Sequence, residues 1–184
     1  IPADTIRRLA REWSAAGAAS VHMSTGVNMG RQGTLAYWLV QMLSFERTRL
    51  DDEAAAALAV KPGEAAIQVE NRLTLQGRPV VHDHLTLPAA LFKGLTEKRL
   101  RERPSTIYQL YQMEFGITVV RAQERVRALA ADRSAARVLG IAPGTPVLQV
   151  RRTALTFNDK PVEYRVSTLN TAQHEYVNLV TRPQ

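Results

Sequence analysis

The sequence predicts an α+β fold: about six antiparallel strands in one sheet, helices mainly on one face, and two related halves. Three observations predict it. Strand-like segments of alternating character end in turn-forming pairs, short Ala-rich helices lie between them, and the whole pattern occurs twice, over 51–87 and 132–169. A repeat about 81 residues long exceeds any solenoid unit, so it indicates two halves of one sheet.

Each copy has the same order of elements. Asp51 and Asp132 are each placed to cap an Ala-rich helix. A strand follows each helix, turns and returns as a hairpin. The paired turn residues are Pro62-Gly63 and Pro143-Gly144 at the helix ends, and Gln76-Gly77 and Asn158-Asp159 at the hairpins. A further strand precedes each helix, so each half reads strand, helix, hairpin.

Two segments lie outside the repeat. Residues 1–35 are predicted to form a helix from Asp4 to Gly17 and a long loop over 18–34, ahead of a main domain over 36–184 that opens with a strand at about 36–47. Between the halves, Ser105 or Thr106 can cap a helix that Gly116 ends.

Composition narrows the function classes. The chain has no cysteine, which excludes disulfides, thiolate zinc sites and cysteine nucleophiles and fits a reducing cytoplasm. No apolar run is long enough to cross a membrane. The net charge is +7, but the arginines are scattered, so direct DNA binding by this segment is not expected. We find no nucleophile elbow, P-loop or metalloprotease motif, and expect neither an enzyme nor a cofactor.

Three ordered stretches resemble the UTRA domain, the effector module of the HutC branch of GntR-superfamily regulators. The resemblance covers roughly residues 40–180. The stretches are GEAAIQVENRLTLQGRPVVHDHLTLPAALFKGL, STIYQLYQMEFGITVVRAQERVRALAAD and LGIAPGTPVLQVRRTALTFNDKPVEYRVSTLN.

The resemblance implies a chorismate-lyase-like fold with a pocket between sheet and helices. It also implies a dimeric, cytoplasmic repressor whose operator binding is controlled by a small anionic effector. In such a repressor the operator is bound by an N-terminal winged helix-turn-helix, which this sequence is not expected to contain. A sugar phosphate, a phosphonate or a carboxylate fits such a site, and the HDH run at 82–84 resembles the phosphonate-utilisation regulators. The alternatives are a chorismate-lyase-type enzyme of the same fold and a free-standing ligand-binding module.

By the same resemblance, Arg121 is the main contact for the anion, since a guanidinium is always charged and can bind an acid with two hydrogen bonds. Thr106, with Ser105 beside it, would offer a hydroxyl at a helix start, where anions are favoured. Glu163 of the PVEY motif would orient the polar remainder of the ligand, and Asp83 is taken as its counterpart in the first half. The alternative for each is structural: an ion pair or an ordinary helix cap.

Three further candidates lie on the first hairpin. Arg72 stands where the family carries an arginine pair. His82 and His84 share one strand face, with Asp83 on the other. Two histidines so spaced can share a metal, but no third ligand is evident, so we expect no metal site. A pocket contact and a structural role remain open for both histidines.

Overall fold

The computed structural model describes residues 21–22, 38–103 and 106–176. The strands are β1 Val21–His22, β2 Trp38–Arg49, β3 Ala65–Leu75, β4 Arg78–Pro88, β5 Arg121–Ala130, β6 Pro146–Leu155 and β7 Pro161–Leu169. The helices are α1 Asp52–Leu58, α2 Glu97–Glu102, α3 Ile107–Phe115 and α4 Arg133–Leu139, with a 3₁₀ turn at Phe157–Asp159.

All strands join one antiparallel sheet in the order β1-β2-β3-β4-β7-β6-β5. β1 has only two residues, so six long strands carry the fold. The first half supplies β2, β3 and β4, and the second supplies β5, β6 and β7. The halves meet where β4 pairs with β7, and His84 opposite Val166 is the central pair of a pseudo-two-fold relation. The predicted fold class is confirmed.

The local sequence explains why these segments fold as they do. Asp51 and Asp132 each accept a hydrogen bond from the backbone N–H three residues on, at 2.7 Å and 2.8 Å. Both helices end in a left-handed residue, Ala59 in α1 and Gly140 in α4. The first hairpin turns through Gln76 and Gly77, both at positive φ, as a tight two-residue hairpin requires.

Helices cover both faces of the sheet, more evenly than the sequence predicted. On one face, Ile67, Leu85 and Ala154 pack against α2, α3 and the 89–96 loop. On the other, Ala66 and Tyr164 pack against α1, while α4 contacts β4. Ala66 and Ile67 are neighbours on one strand, so they point in opposite directions. We call these the α3 face and the α1 face.

Some expectations fall outside the described residues. The predicted helix from Asp4 to Gly17 does so entirely. Most of the predicted 18–34 loop does too, but residues 21–22 within it form β1, which pairs with the start of β2. The strand predicted at about 36–47 is observed at Trp38–Arg49.

Candidate functional site

A buried polar cluster lies at the centre of the α3 face, where β7 passes beneath α3. Glu163 is fully buried there (0% exposed). Its Oε1 accepts a hydrogen bond from Arg165 Nε at 3.0 Å and lies 2.9 Å from Arg165 Nη2. The two residues are two apart on one strand, so their side chains share a face. The sheet thereby holds a carboxylate and a guanidinium side by side, away from water.

Two tyrosines of α3 complete the coordination of Glu163. Tyr111 donates its hydroxyl to Oε2 at 2.7 Å, and Tyr108 donates to Oε1 at 3.3 Å. The Tyr108 ring also lies 5.9 Å from the Arg165 guanidinium carbon, within cation–π range. Burial and the neighbouring Glu163 charge raise the pKa of Tyr108 to about 12 and that of Tyr111 well above 10. Both phenols therefore stay protonated and act as donors.

Asp83 of β4 enters the cluster from the first half. Its Oδ2 lies 3.5 Å from Arg165 Nη1, a longer contact than Arg165 makes with Glu163. Its Oδ1 is buried and has no hydrogen-bond partner within residues 21–22, 38–103 and 106–176. Burial raises the Asp83 pKa, although the Arg165 charge and a hydrogen-bonding contribution from Ser167 oppose this. For Arg165, the Glu163 and Asp83 charges outweigh burial and raise the pKa.

The pairing register corrects one expectation. Asp83 is not the counterpart of Glu163. The pair Leu73–Val81 in the first hairpin occupies the place of Ala154–Glu163 in the second. Glu163 therefore corresponds to Val81, and Asp83 corresponds to Arg165, each 82 residues apart. Asp83 and Arg165 are thus symmetry counterparts of opposite charge that meet across the seam between halves.

More arginines border the cluster. Burial lowers the pKa of Arg103, and the charge of nearby Arg165 adds to this effect. Arg152 is the cross-strand partner of Arg165, and its Nε lies 2.8 Å from Glu124 on β5. Cationic and anionic groups therefore alternate on this face.

The structure brings together only some of the residues predicted for the site. Asp83 and Glu163 meet through Arg165. Arg121 does not join them: its side chain is half exposed and forms a 2.8 Å ion pair with Asp159. Its neighbour Ala122 pairs with Ala154 and shares the α3 face, so Arg121 points to the opposite side.

The remaining predicted residues lie elsewhere. Thr106 is the exposed N-cap of α3 and accepts a hydrogen bond from Gln109 N at 3.2 Å. Ser105 lies outside the described residues. His82, His84 and Arg72 are on the α1 face, because they alternate along their strands with Asp83 and Asn71.

Sequence reasoning missed Arg165, Tyr108 and Tyr111 as site residues. Arg165 had a usable signal: it follows Glu163 at i+2 on a predicted strand and therefore had to share its face. The tyrosines carried no such signal, because aromatic residues at helical spacing are typical of a core-facing helix surface. Tyr111 is indeed fully buried among core residues, but its hydroxyl binds Glu163.

Comparisons with known proteins place this geometry in context. A similar structure is the ligand-binding domain of a GntR-family transcriptional regulator from Bordetella bronchiseptica, with 36% identity and a TM-score of 0.75 over 78% of this chain and 91% of that one. The effector domain of PhnF from Mycobacterium smegmatis shares the fold at 21% identity, with a TM-score of 0.71 over 80% of this chain and 89% of that one.

A curated relative is the HTH-type transcriptional regulator Rv0792c of Mycobacterium tuberculosis. It is 36% identical over 58 residues, which are 32% of this chain and 22% of that protein. The match therefore spans about a fifth of the relative's length.

In the part of the chain that the structure describes, no helix is long and apolar enough to cross a membrane.

The fold and these relatives indicate a regulatory ligand-binding domain of a transcriptional regulator, not an enzyme. The family profile of the UTRA domain matches residues 39–175, and the chain belongs to that family.

Proposed function

We propose that this domain senses a small anionic metabolite in the cluster of Asp83, Glu163 and Arg165, and that binding controls the operator affinity of the whole regulator. The observation that carries the proposal is the buried Asp83 carboxylate, whose Oδ1 makes no hydrogen bond of normal geometry within the described ranges, although Ser167 lies beside it on the paired strand. A buried carboxylate oxygen without a donor is costly, so a ligand that supplies one is stabilised.

The contacts indicate which ligand chemistry fits. Glu163 holds Arg165 by Nε and Nη2, whereas within the described residues Nη1 makes only the 3.5 Å contact with Asp83. Nη1 can therefore take an acidic group, and Asp83 Oδ1 can accept from a hydroxyl or an amine. A metabolite with an acidic group and a neighbouring donor meets both requirements. Sugar phosphates, aminoalkylphosphonates and hydroxy or amino acids belong to this class.

The position of the cluster suggests how binding is transmitted. Asp83 belongs to the first half of the sheet and Arg165 to the second, so a ligand that contacts both bridges the seam where β4 pairs with β7. A ligand shifts an equilibrium only by its difference in affinity for two states. We infer that the bridged state fixes the relation of two subunits in a cytoplasmic homodimer, and with it the attached DNA-binding domains.

The test begins with a thermal-shift screen of sugar phosphates, alkylphosphonates, amino acids and dicarboxylates, because a ligand of the folded state raises the unfolding midpoint. Calorimetry with the compound found then compares two variants. Asp83→Asn removes one charged acceptor with little change of shape, and we expect about 10- to 100-fold weaker binding.

Arg121→Ala is the matched control, because it removes an exposed arginine that is already paired with Asp159. It should leave affinity unchanged. The opposite pattern, with Arg121→Ala impaired and Asp83→Asn unaffected, would move the site to the residue that sequence resemblance favours and would contradict the proposal.

A further inference from the structure

A second cluster of ligating side chains lies on the α1 face, away from the candidate effector site. It consists of Glu70 on β3 with His82 and His84 on β4. Glu70 is the cross-strand partner of His84, and the two histidines are two residues apart on one strand. One ligand atom from each residue lies within 4.8 Å of the others. The pairing register of the sheet creates this arrangement, which the sequence alone did not indicate.

The donor set matches one class of ion. Two imidazoles and one carboxylate are typical of sites for divalent first-row transition metals, in which solvent completes the shell. Mg²⁺ and Ca²⁺ prefer oxygen ligands alone. With metal–ligand bonds of about 2.0–2.1 Å, tetrahedral donors lie roughly 3.3 Å apart. His82 Nε2 and Glu70 Oε1 are 2.6 Å apart, so they must separate slightly while His84 moves inward. His84 is exposed and has room to do so.

Among the described residues, neighbouring side chains hold Glu70 and His82 in position but do not pair with the negative charge of Glu70. His82 is almost fully buried. Ser44 of β2 donates its hydroxyl to Glu70 Oε2 at 3.3 Å, in the outer-shell role that orients a metal-binding carboxylate. Arg72 lies on the same face beside Glu70, but its guanidinium hydrogen-bonds to Gln41. The His82 and His84 rings lie 4.4 Å apart at 56°, so both point to the same region.

We propose that Glu70, His82 and His84 form a three-residue site for a divalent transition metal ion, for which Zn²⁺ is the probe. The site is independent of the proposed effector cluster and is built on two rigid central strands. Because His82 and His84 flank Asp83 on β4, an ion bound here holds the strand segment that presents Asp83 to the opposite face.

The test is calorimetric titration of ZnCl₂ into the 184-residue chain in a buffer that does not chelate zinc. The chain has four histidines and no cysteine. We compare His84→Ala and Glu70→Gln with a matched control in which the other two histidines are replaced, His22→Ala/His174→Ala. The control should bind one equivalent as the natural sequence does, and MgCl₂ should not compete.

Each cluster variant should lose at least about tenfold in affinity, the lower end of what even an outer-shell change costs. Two variants are used so that, if one fails to fold, the other still tests the site. The absorption spectrum of bound Co²⁺ reports whether nitrogen ligands are lost. Absence of a stoichiometric zinc event, or equal binding by His84→Ala and the natural chain, would overturn the proposal and leave a structural Glu70–His82 pair.

Discussion

Tyr111→Phe isolates one hydrogen bond in the buried cluster. The substitution removes only the hydroxyl that donates to Glu163 Oε2 at 2.7 Å, and keeps the ring that packs in the core. Both residues are 0% exposed, so water cannot replace the lost donor. A hydrogen bond to a charged group contributes about 1.5–3 kcal/mol, and the charge of Glu163 remains buried. We expect the free energy of unfolding to fall by about that amount.

Urea denaturation followed by circular dichroism measures this change. With a slope of about 2 kcal/mol per molar urea, the midpoint should fall by roughly 1 M. Tyr108→Phe is the control, because Tyr108 donates to the same carboxylate at 3.3 Å and is less buried. It should cost under about 1 kcal/mol. A loss below about 0.5 kcal/mol for Tyr111→Phe, or equal losses for both variants, would refute the view that Glu163 depends on this donor.

Two other predictions concern stability. Burial raises the pKa of Asp83 in the folded state above its ordinary 3.8. The contribution of Asp83 to the free energy of unfolding is therefore fully present at low pH and is lost as the pH rises through the folded-state pKa. Asp83→Asn should therefore gain stability relative to the natural chain as the pH rises above the ordinary value of 3.8, and a stability difference that is constant with pH would contradict this. Ala59→Gly should stabilise by up to about 1 kcal/mol and Gly140→Ala should destabilise by a similar amount, because both positions end a helix at positive φ. Thermal unfolding of both variants checks the pair, and changes of the same sign would show that the two caps are not equivalent.

The repeat in the sequence was sufficient to predict the sheet. Helix caps such as Asp51 and Asp132 and the Gln76-Gly77 turn are local signals, and each appears where expected. Local signals do not say which face of a sheet a helix covers. That depends on packing between distant segments, which explains why the helices proved to be more evenly distributed than predicted.

The site was harder to predict for the same reason. Strand alternation correctly separates Asp83 from His82. The second hairpin turn, Phe157–Asp159, has one residue more than Gln76-Gly77, so corresponding residues lie 81 apart before the turn and 82 apart after it. The partnership of Arg165 with Asp83, and that of Glu70 with the histidines, depends on cross-strand register. The pattern of residues within one strand does not determine how that strand aligns with its neighbours.

Asp83 and Arg165 lie beside the pseudo-two-fold axis that relates the two halves, and an ion pair at this position requires that the halves differ in sequence. In a true two-fold dimer of one half, equivalent positions carry the same residue, so two like charges would meet at the axis and repel. Here both halves lie in one chain, which frees each position to diverge. Position 83 is acidic and position 165 is basic. The broken symmetry allows an ion pair at a place where two copies of either charged residue would repel each other.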